Sequence, residues 1–169
     1  MKLIVWNTRG FNDPRKQKSV VDRINRIKAD IVCLLETRIK HHKMQPVLEK
    51  HFRDWGILHN YAASPNRRIW LLWRDHVHVG PLEFSEQSIT CVLQYEIRKV
   101  YFSAIYGSND GIQRRNLWLN LTHISGIVQD NPWILTGDFN IIVHPSESSD
   151  YNGDQSANSE MKDFQNCLT

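Results

Sequence analysis

The stretch LIVWNTRGFNDPRKQKSVVDRINRIKADIVCLLE, residues 3–36, decides the fold class. Lys2–Trp6 is a short apolar run that stops at Asn7-Thr8-Arg9-Gly10, which reads as a strand followed by a turn. Asp13-Pro14 then opens a helical pattern, with Asp13 as N-cap and Pro14 at the first helical position, where no N–H is needed. Val20, Val21, Ile24 and Ile27 recur at helical spacing and leave Lys and Arg on the other face. Ile31–Leu35 is unbroken apolar sequence, as expected of a strand buried on both sides. A helix between two such runs is a crossover joining parallel strands, so this stretch predicts an α/β protein.

Farther along, Ile57–Tyr61, Ile69–Trp73, Ile89–Tyr95 and Val100–Tyr106 are short runs rich in Trp, Tyr, Ile and Val. Turn residues such as Ser64-Pro65-Asn66 and Gly80-Pro81 separate them, which predicts antiparallel strands. One helix is predicted around Met44–Phe52 and a longer one over Arg114–Val128, with Leu117, Leu121, Ile124 and Val128 on its inner face. Trp133–Thr136 predicts a further strand, ending at Gly137-Asp138-Phe139-Asn140. A polar stretch from Pro145 to Ser159 and a weak helix up to Cys167 follow. No repeat or linker interrupts the chain, so residues 1–169 read as one domain.

Composition narrows the function classes. Of 169 residues 41% are hydrophobic and 23% charged, which excludes both a membrane protein and a disordered chain. Cys33, Cys91 and Cys167 cannot all pair and form no C-x-x-C, so they read as reduced thiols of an intracellular protein. The chain enters a strand at once, without a signal peptide. Net charge is +3, but residues 1–54 hold thirteen Lys/Arg against six acids, while residues 116–169 hold only Lys162 against seven. A basic end suits a polyanionic partner and an acidic end suits metal ligands; two solvated faces of opposite sign fit the same counts. Lys16, Lys18, Arg23 and Arg26 read first as a solvated helix face and Arg67-Arg68 as a hairpin tip, with DNA-backbone contact as the functional alternative. The tryptophans read mostly as core, with Trp118 and Trp133 as candidates to flank a site.

Polar groups at four places share one setting, the end of an apolar strand. Asn7 follows the first, Glu36 the second, Tyr106 follows Val100–Ile105, and Asp138 with Asn140 follows Trp133–Thr136. Strand ends in sheets with helical crossovers are where rigid elements hold ligand-binding groups. Glu36 and Asp138 are hard oxygen ligands of the kind Mg²⁺ prefers, and amides and a phenol can bind phosphate without adding negative charge. The set suits metal-assisted attack on a phosphodiester. Each member also has a bland reading: Glu36 as an exposed charge or helix cap, Asp138 and Asn7 as turn residues, Tyr106 as a core aromatic with its hydroxyl at the rim.

Trp6-Asn7-Thr8-Arg9-Gly10, Leu34-Leu35-Glu36-Thr37-Arg38, Ile105-Tyr106-Gly107 and Leu135-Thr136-Gly137-Asp138-Phe139-Asn140 come in the order of the endonuclease/exonuclease/phosphatase superfamily, which the chain resembles over essentially its whole length. Asn12-Asp13-Pro14-Arg15-Lys16-Gln17 and Arg115-Asn116-Leu117-Trp118 bring it nearest to the endonuclease domain at the start of plant LINE-type retrotransposon polyproteins. The resemblance implies a four-layered α/β sandwich, with two packed mixed sheets between layers of helices. It implies Mg²⁺, with Mn²⁺ as a substitute, held chiefly by Glu36, around which Asn7 orients groups. Tyr106 would contact the scissile phosphate, Asp138 would act on the attacking water, Asn140 would stabilise the pentacovalent phosphate, and Asn109 would touch the DNA backbone. Arg9 stands where apurinic-site enzymes carry an acid, which favours the retrotransposon branch.

The family ends in a Ser-Asp-His motif that this sequence does not contain; its Ser149-Asp150 is followed by Tyr151. His123 lies within the second long helix, His144 comes too early, and His41-His42 read as a solvated loop. The chain is therefore expected to be the N-terminal part of the domain, with its last strands missing and a sheet edge left unpaired. The expected activity is Mg²⁺-dependent nicking of double-stranded DNA, with a reverse transcriptase domain following in the complete protein and a nuclear site of action. Two alternatives stay open: a phosphatase or exonuclease of the same superfamily, and a non-catalytic degenerate fragment.

Overall fold

The structure is a computed structural model that describes residues 1–64, 69–149 and 155–168. It divides into two compact units, the first comprising Met1–Tyr106 with Asn131–Asp138, the second Gly107–Asp130 with the chain from Phe139 onward.

The first unit holds both sheets. In one, β1 (Leu3–Asn7) pairs in parallel with β2 (Ile31–Leu35), and β2 pairs antiparallel with β4 (Ile69–Arg74), which pairs antiparallel with β3 (Trp55–His59). In the other, β5 (His78–Phe84), β6 (Ser88–Tyr95) and β7 (Arg98–Tyr106) form an antiparallel meander, and β8 (Trp133–Asp138) adds in parallel to β7. Both sheets are mixed, as expected.

The crossover predicted from residues 3–36 is present. Asp13 caps α1 (Pro14–Ile27) by accepting the Arg15 N–H at 2.9 Å, and Lys28 ends it in the left-handed conformation. Gln17, Val20, Val21 and Ile24 are its buried face. The unbroken run of β2 has two destinations. Ile31, Cys33 and Leu35 face the second sheet, where Ile89, Cys91, Phe102 and Ala104 meet them. Val32 and Leu34 face the other way, onto Val20, Val21 and Ile24 of α1 and Phe52. All five residues of β2 are buried, so alternation has nothing polar to alternate with.

One expectation is corrected here. Gly80-Pro81 is not a turn but lies inside β5, with Gly80 opposite Val92 and Pro81 opposite Cys91. β5 is the end strand of its sheet among the described residues, and the register slips between Pro81 and Glu83. An edge strand with a bulge is where a sheet tolerates a residue lacking an N–H. His41 and His42 are exposed, as expected of solvated residues, but with Lys43 they form a 3-10 turn leading into α2 (Met44–His51), and the His41 ring packs on Tyr61 at 5.1 Å.

In the second unit, α3 (Gly111–Val128) starts three residues earlier than expected, because Asp110 accepts the N–H groups of Ile112 and Gln113 at 2.9 and 3.1 Å. It packs on α4 (Gln155–Cys167) through Trp118 stacked on Phe164 at 4.7 Å. The buried guanidinium of Arg114 is paired with Glu160, and Arg115 with Asp163 at 2.9 Å. Among the described residues, no helix is long and apolar enough to cross a membrane.

Candidate active site

The strand directions build the site. β1 and β2 run in parallel, so Asn7 and Leu35 are register partners and Glu36 follows directly. β7 and β8 are parallel too, with Tyr106 opposite Asp138. One hydrogen bond brings the ends of the two sheets together: Asn7 Nδ2 donates to Asp138 Oδ2 at 2.7 Å, across 131 positions of sequence. The Asn7 side-chain oxygen, Oδ1, accepts the Arg9 N–H at 3.2 Å, so both ends of the side-chain amide are used and its orientation is fixed.

The loop after β1 is laced to the loop after β2. Thr8 gives its N–H and its hydroxyl to Leu35 O, at 3.0 and 2.8 Å, and the Gly10 N–H bonds Glu36 O at 2.9 Å. Arg9, Glu36 and Arg38 all take the left-handed backbone conformation, with φ of 45°, 54° and 55°. For residues with a Cβ this costs about 1–3 kcal/mol each, and such strain collects where a site needs a fixed geometry. The Glu36 carboxylate is 14% exposed and ion-paired with the Arg38 guanidinium. In the sequence Arg38 is marked only as a cation two positions after a carboxylate.

Tyr106 ends β7 with 9% of its surface exposed and belongs to the core between the sheets. Asn140 and Asn109 belong to the second unit. Asn140 is also left-handed, at φ 51°, and its amide donates to Gly107 O at 2.6 Å. Asn109 is exposed just before the N-cap of α3.

The donor chemistry around Asn7 is all oxygen: the carboxylates of Glu36 and Asp138 and the amide of Asn7. Among the described residues no group of three or more His, Cys, Asp or Glu is placed to hold a metal ion. Two carboxylates and an amide oxygen are a donor set of the hard kind that Mg²⁺ takes, with water completing its shell.

Other candidates fall away. Trp133 starts β8 and gives its indole N–H to Ser103 Oγ at 2.9 Å, so it lies at the far end of the strand from Asp138, roughly 17 Å distant at 3.3 Å per residue. His144 caps a 3-10 turn at Pro145–Glu147 and accepts the Ser146 N–H. His123 is exposed on α3. Arg67, Arg68, Asp150 and Tyr151 lie outside the described residues.

Comparison with known proteins gives this arrangement a family. A curated exodeoxyribonuclease from Bacillus subtilis (strain 168) is 26% identical over 156 residues, covering 83% of this chain; the chain spans 59% of that relative's length. The endonuclease domain of TRAS1, a telomere-specific non-LTR retrotransposon, superposes with a TM-score of 0.72 at 12% identity, over 98% of this chain and 71% of that one. The human Nocturnin catalytic domain does so at 0.59 and 16% identity, over 83% and 64%. These likenesses identify the deoxyribonuclease-like α/β sandwich as the fold. The sequence from residue 4 to residue 165 matches the Endonuclease/Exonuclease/phosphatase family. The chain belongs to that family.

Proposed function

We propose that this chain is a divalent-metal-dependent phosphodiesterase domain that nicks duplex DNA, of the kind that LINE-type retrotransposons carry. The observation that carries the reading is the Asn7–Asp138 hydrogen bond, because it fixes a carboxylate between the ends of two rigid sheets. The family match runs through both compact units, which supports reading them as parts of one catalytic domain.

In this reading Glu36 and Asn7 would hold Mg²⁺, or Mn²⁺ in its place. The bound cation supplies stabilisation of the charge that develops on the phosphate. Asp138, oriented by the Asn7 amide, accepts a hydrogen bond from the attacking water and aims its lone pair at phosphorus. As the new P–O bond forms, Asp138 takes the water's proton, the bond to the departing sugar oxygen breaks, and that oxygen takes up a proton from solvent. Tyr106 contacts the scissile phosphate, Asn140 stabilises its pentacovalent form, and Asn109 meets the backbone of the DNA. Arg9 and Arg38 add positive charge beside the two acids, which favours approach of a polyanion. A reverse transcriptase domain following this one, and action in the nucleus, belong to the same proposal.

The test is conversion of supercoiled plasmid to nicked circle with Mg²⁺ or with EDTA. A closed circle has no ends, so it also discriminates against an exonuclease, the reading favoured by the Bacillus relative's name. We expect nicking with Mg²⁺, none with EDTA, and a loss of about a hundredfold or more in Glu36→Ala. Nicking that survives Glu36→Ala would overturn the site. Cleavage of linear DNA alone would favour the exonuclease, and no cleavage at all the non-catalytic alternative.

A further inference from the structure

Gln17 is the odd member of the buried face of α1. That face runs Gln17, Val20, Val21 and Ile24 at helical spacing, so an amide stands where the pattern predicts an apolar side chain. Gln17 is 7% exposed, yet its side chain makes no hydrogen bond among the described residues. Buried amides are as a rule paired. Nor is this one sealed in: among the described residues only His51 Nε2 and His59 Nδ1 are shut away without a partner. The amide therefore reaches open space. The space that Gln17 borders is a recess of about 150 Å³ between the start of α1 and the loop after β2.

The chemistry of that recess has one sign. Asn12, Gln17, Arg38, Lys40 and Lys43 are its polar lining, and no acid lines it. Lys40 and Lys43 are exposed, and neither ammonium has an ion pair or hydrogen bond among the described residues. The 3-10 turn holds them in place, with the Lys43 N–H on Lys40 O at 2.8 Å. Arg38 is instead engaged by Glu36, which puts the recess beside the candidate metal ligand. At about 30 Å³ per water the recess has room for one oxyanion with a water or two. It falls well short of the roughly 300 Å³ at which sites for whole small molecules begin.

We infer that this recess is a subsite for one backbone phosphate of duplex DNA, near the phosphate being cut but distinct from it. The two ammonium groups supply charge, and the amides of Gln17 and Asn12 donate to the phosphate oxygens. Such contacts read no base; they set which linkage lies over Glu36. The nuclease reading supplies the identity of the anion, while the recess itself rests on Gln17 and the two lysines.

The experiment measures binding without cleavage, using the full chain in EDTA and fluorescence anisotropy of a short labelled duplex. One phosphate at a time is replaced by a neutral methylphosphonate. Wild type is expected to bind about tenfold more weakly when the linkage that fills the recess is neutral. Lys43→Ala is expected to weaken binding of the unmodified duplex and to reduce the slope of log K against log salt by about one. Gln17→Leu, which continues the apolar stripe of α1, is expected to weaken binding at every salt concentration with an unchanged slope, because an amide releases no counterion. In the double variant the methylphosphonate at that linkage should carry no penalty, while other linkages keep theirs. Thermal melts check that each variant folds.

The subsite is overturned if the double variant removes the penalty at no linkage, or if the duplex does not bind at all. It is also overturned if Lys50→Ala, outside the recess, weakens binding as much as Lys43→Ala does, since diffuse charge would then account for the effect. A penalty erased by the variants in a protein that never nicks plasmid keeps the subsite and removes the nuclease reading. Nicking by a protein in which the variants erase no penalty does the reverse.

Discussion

The glycines of Tyr106-Gly107 and Gly137-Asp138 have a structural cause distinct from the chemistry beside them. Gly137 holds φ at +145°, and a Cβ there would lie 1.9 Å from the Ile105 carbonyl oxygen. At Gly107 a Cβ would lie 2.4 Å from the Phe139 carbonyl oxygen. In both places the obstacle is backbone, which cannot swing aside. Gly137→Ala is expected to cost about 4 kcal/mol or more, among the largest effects of a single substitution. A urea titration would read this as a large fall in midpoint at an unchanged slope. An unaltered midpoint would mean that the backbone of β8 is not held against β7 as described. The consequence for function is positional: without that close approach, Asp138 has no fixed place from which to meet the Asn7 amide.

Asn60 does for the far edge of the sandwich what Asn7 does for the candidate site. Two of its three hydrogen bonds reach the β5–β6 hairpin, which no ladder joins to β3, and the third holds the first residue of β4. Asn60→Ala leaves the buried Ile69 N–H and two carbonyls without their partner, a loss of about 1–3 kcal/mol. Differential scanning calorimetry should show a lower melting temperature, and a melt equal to wild type would mean that the sheets are not tied there. In the sequence Asn60 is only a polar residue at the end of a predicted strand. That is the general pattern of what could be read in advance. Apolar runs ending in Asn7, Glu36, Tyr106 and Asp138 are legible because the apolar residues of a strand stand next to one another in the sequence. The partners of those residues were not, since a contact across 131 positions leaves no local trace. β5 was missed because Gly80-Pro81 carries turn chemistry that an edge strand also accepts, and the order β1-β2-β4-β3 is a choice among pairings that periodicity cannot rank. The strand-end placement is therefore geometry, and the plasmid experiment is the test of the catalytic roles.

The charge imbalance of the chain follows its two units. The first carries eighteen Lys/Arg against eleven acids and the second three against seven, so the excess of positive charge belongs to the unit that holds the sheets and Asn7. The same unit carries the chain's sensitivity to acid. His51 Nε2 and His59 Nδ1 are buried and find no hydrogen-bond partner among the described residues. Burial holds both imidazoles below their ordinary value of 6.5, helped by Lys50 beside His51 and by His41 beside His59. The unfolded chain therefore binds more protons than the folded one in the window just below pH 6.5. Stability is complete above that value and falls as pH drops through it toward the lowered folded values. A second loss follows below about pH 3.8. Asp13 is held low by the Arg15 N–H and guanidinium. Asp30 is pushed up by burial but held lower overall by the Lys2 N–H and His76. Thermal melts at about pH 7.5 and pH 5.5 should show a lower melting temperature at the acid value. His59→Phe, which keeps an aromatic ring at that position but cannot titrate, should narrow that difference. Equal melting temperatures at the two pH values in wild type would mean that neither imidazole is held neutral in the fold.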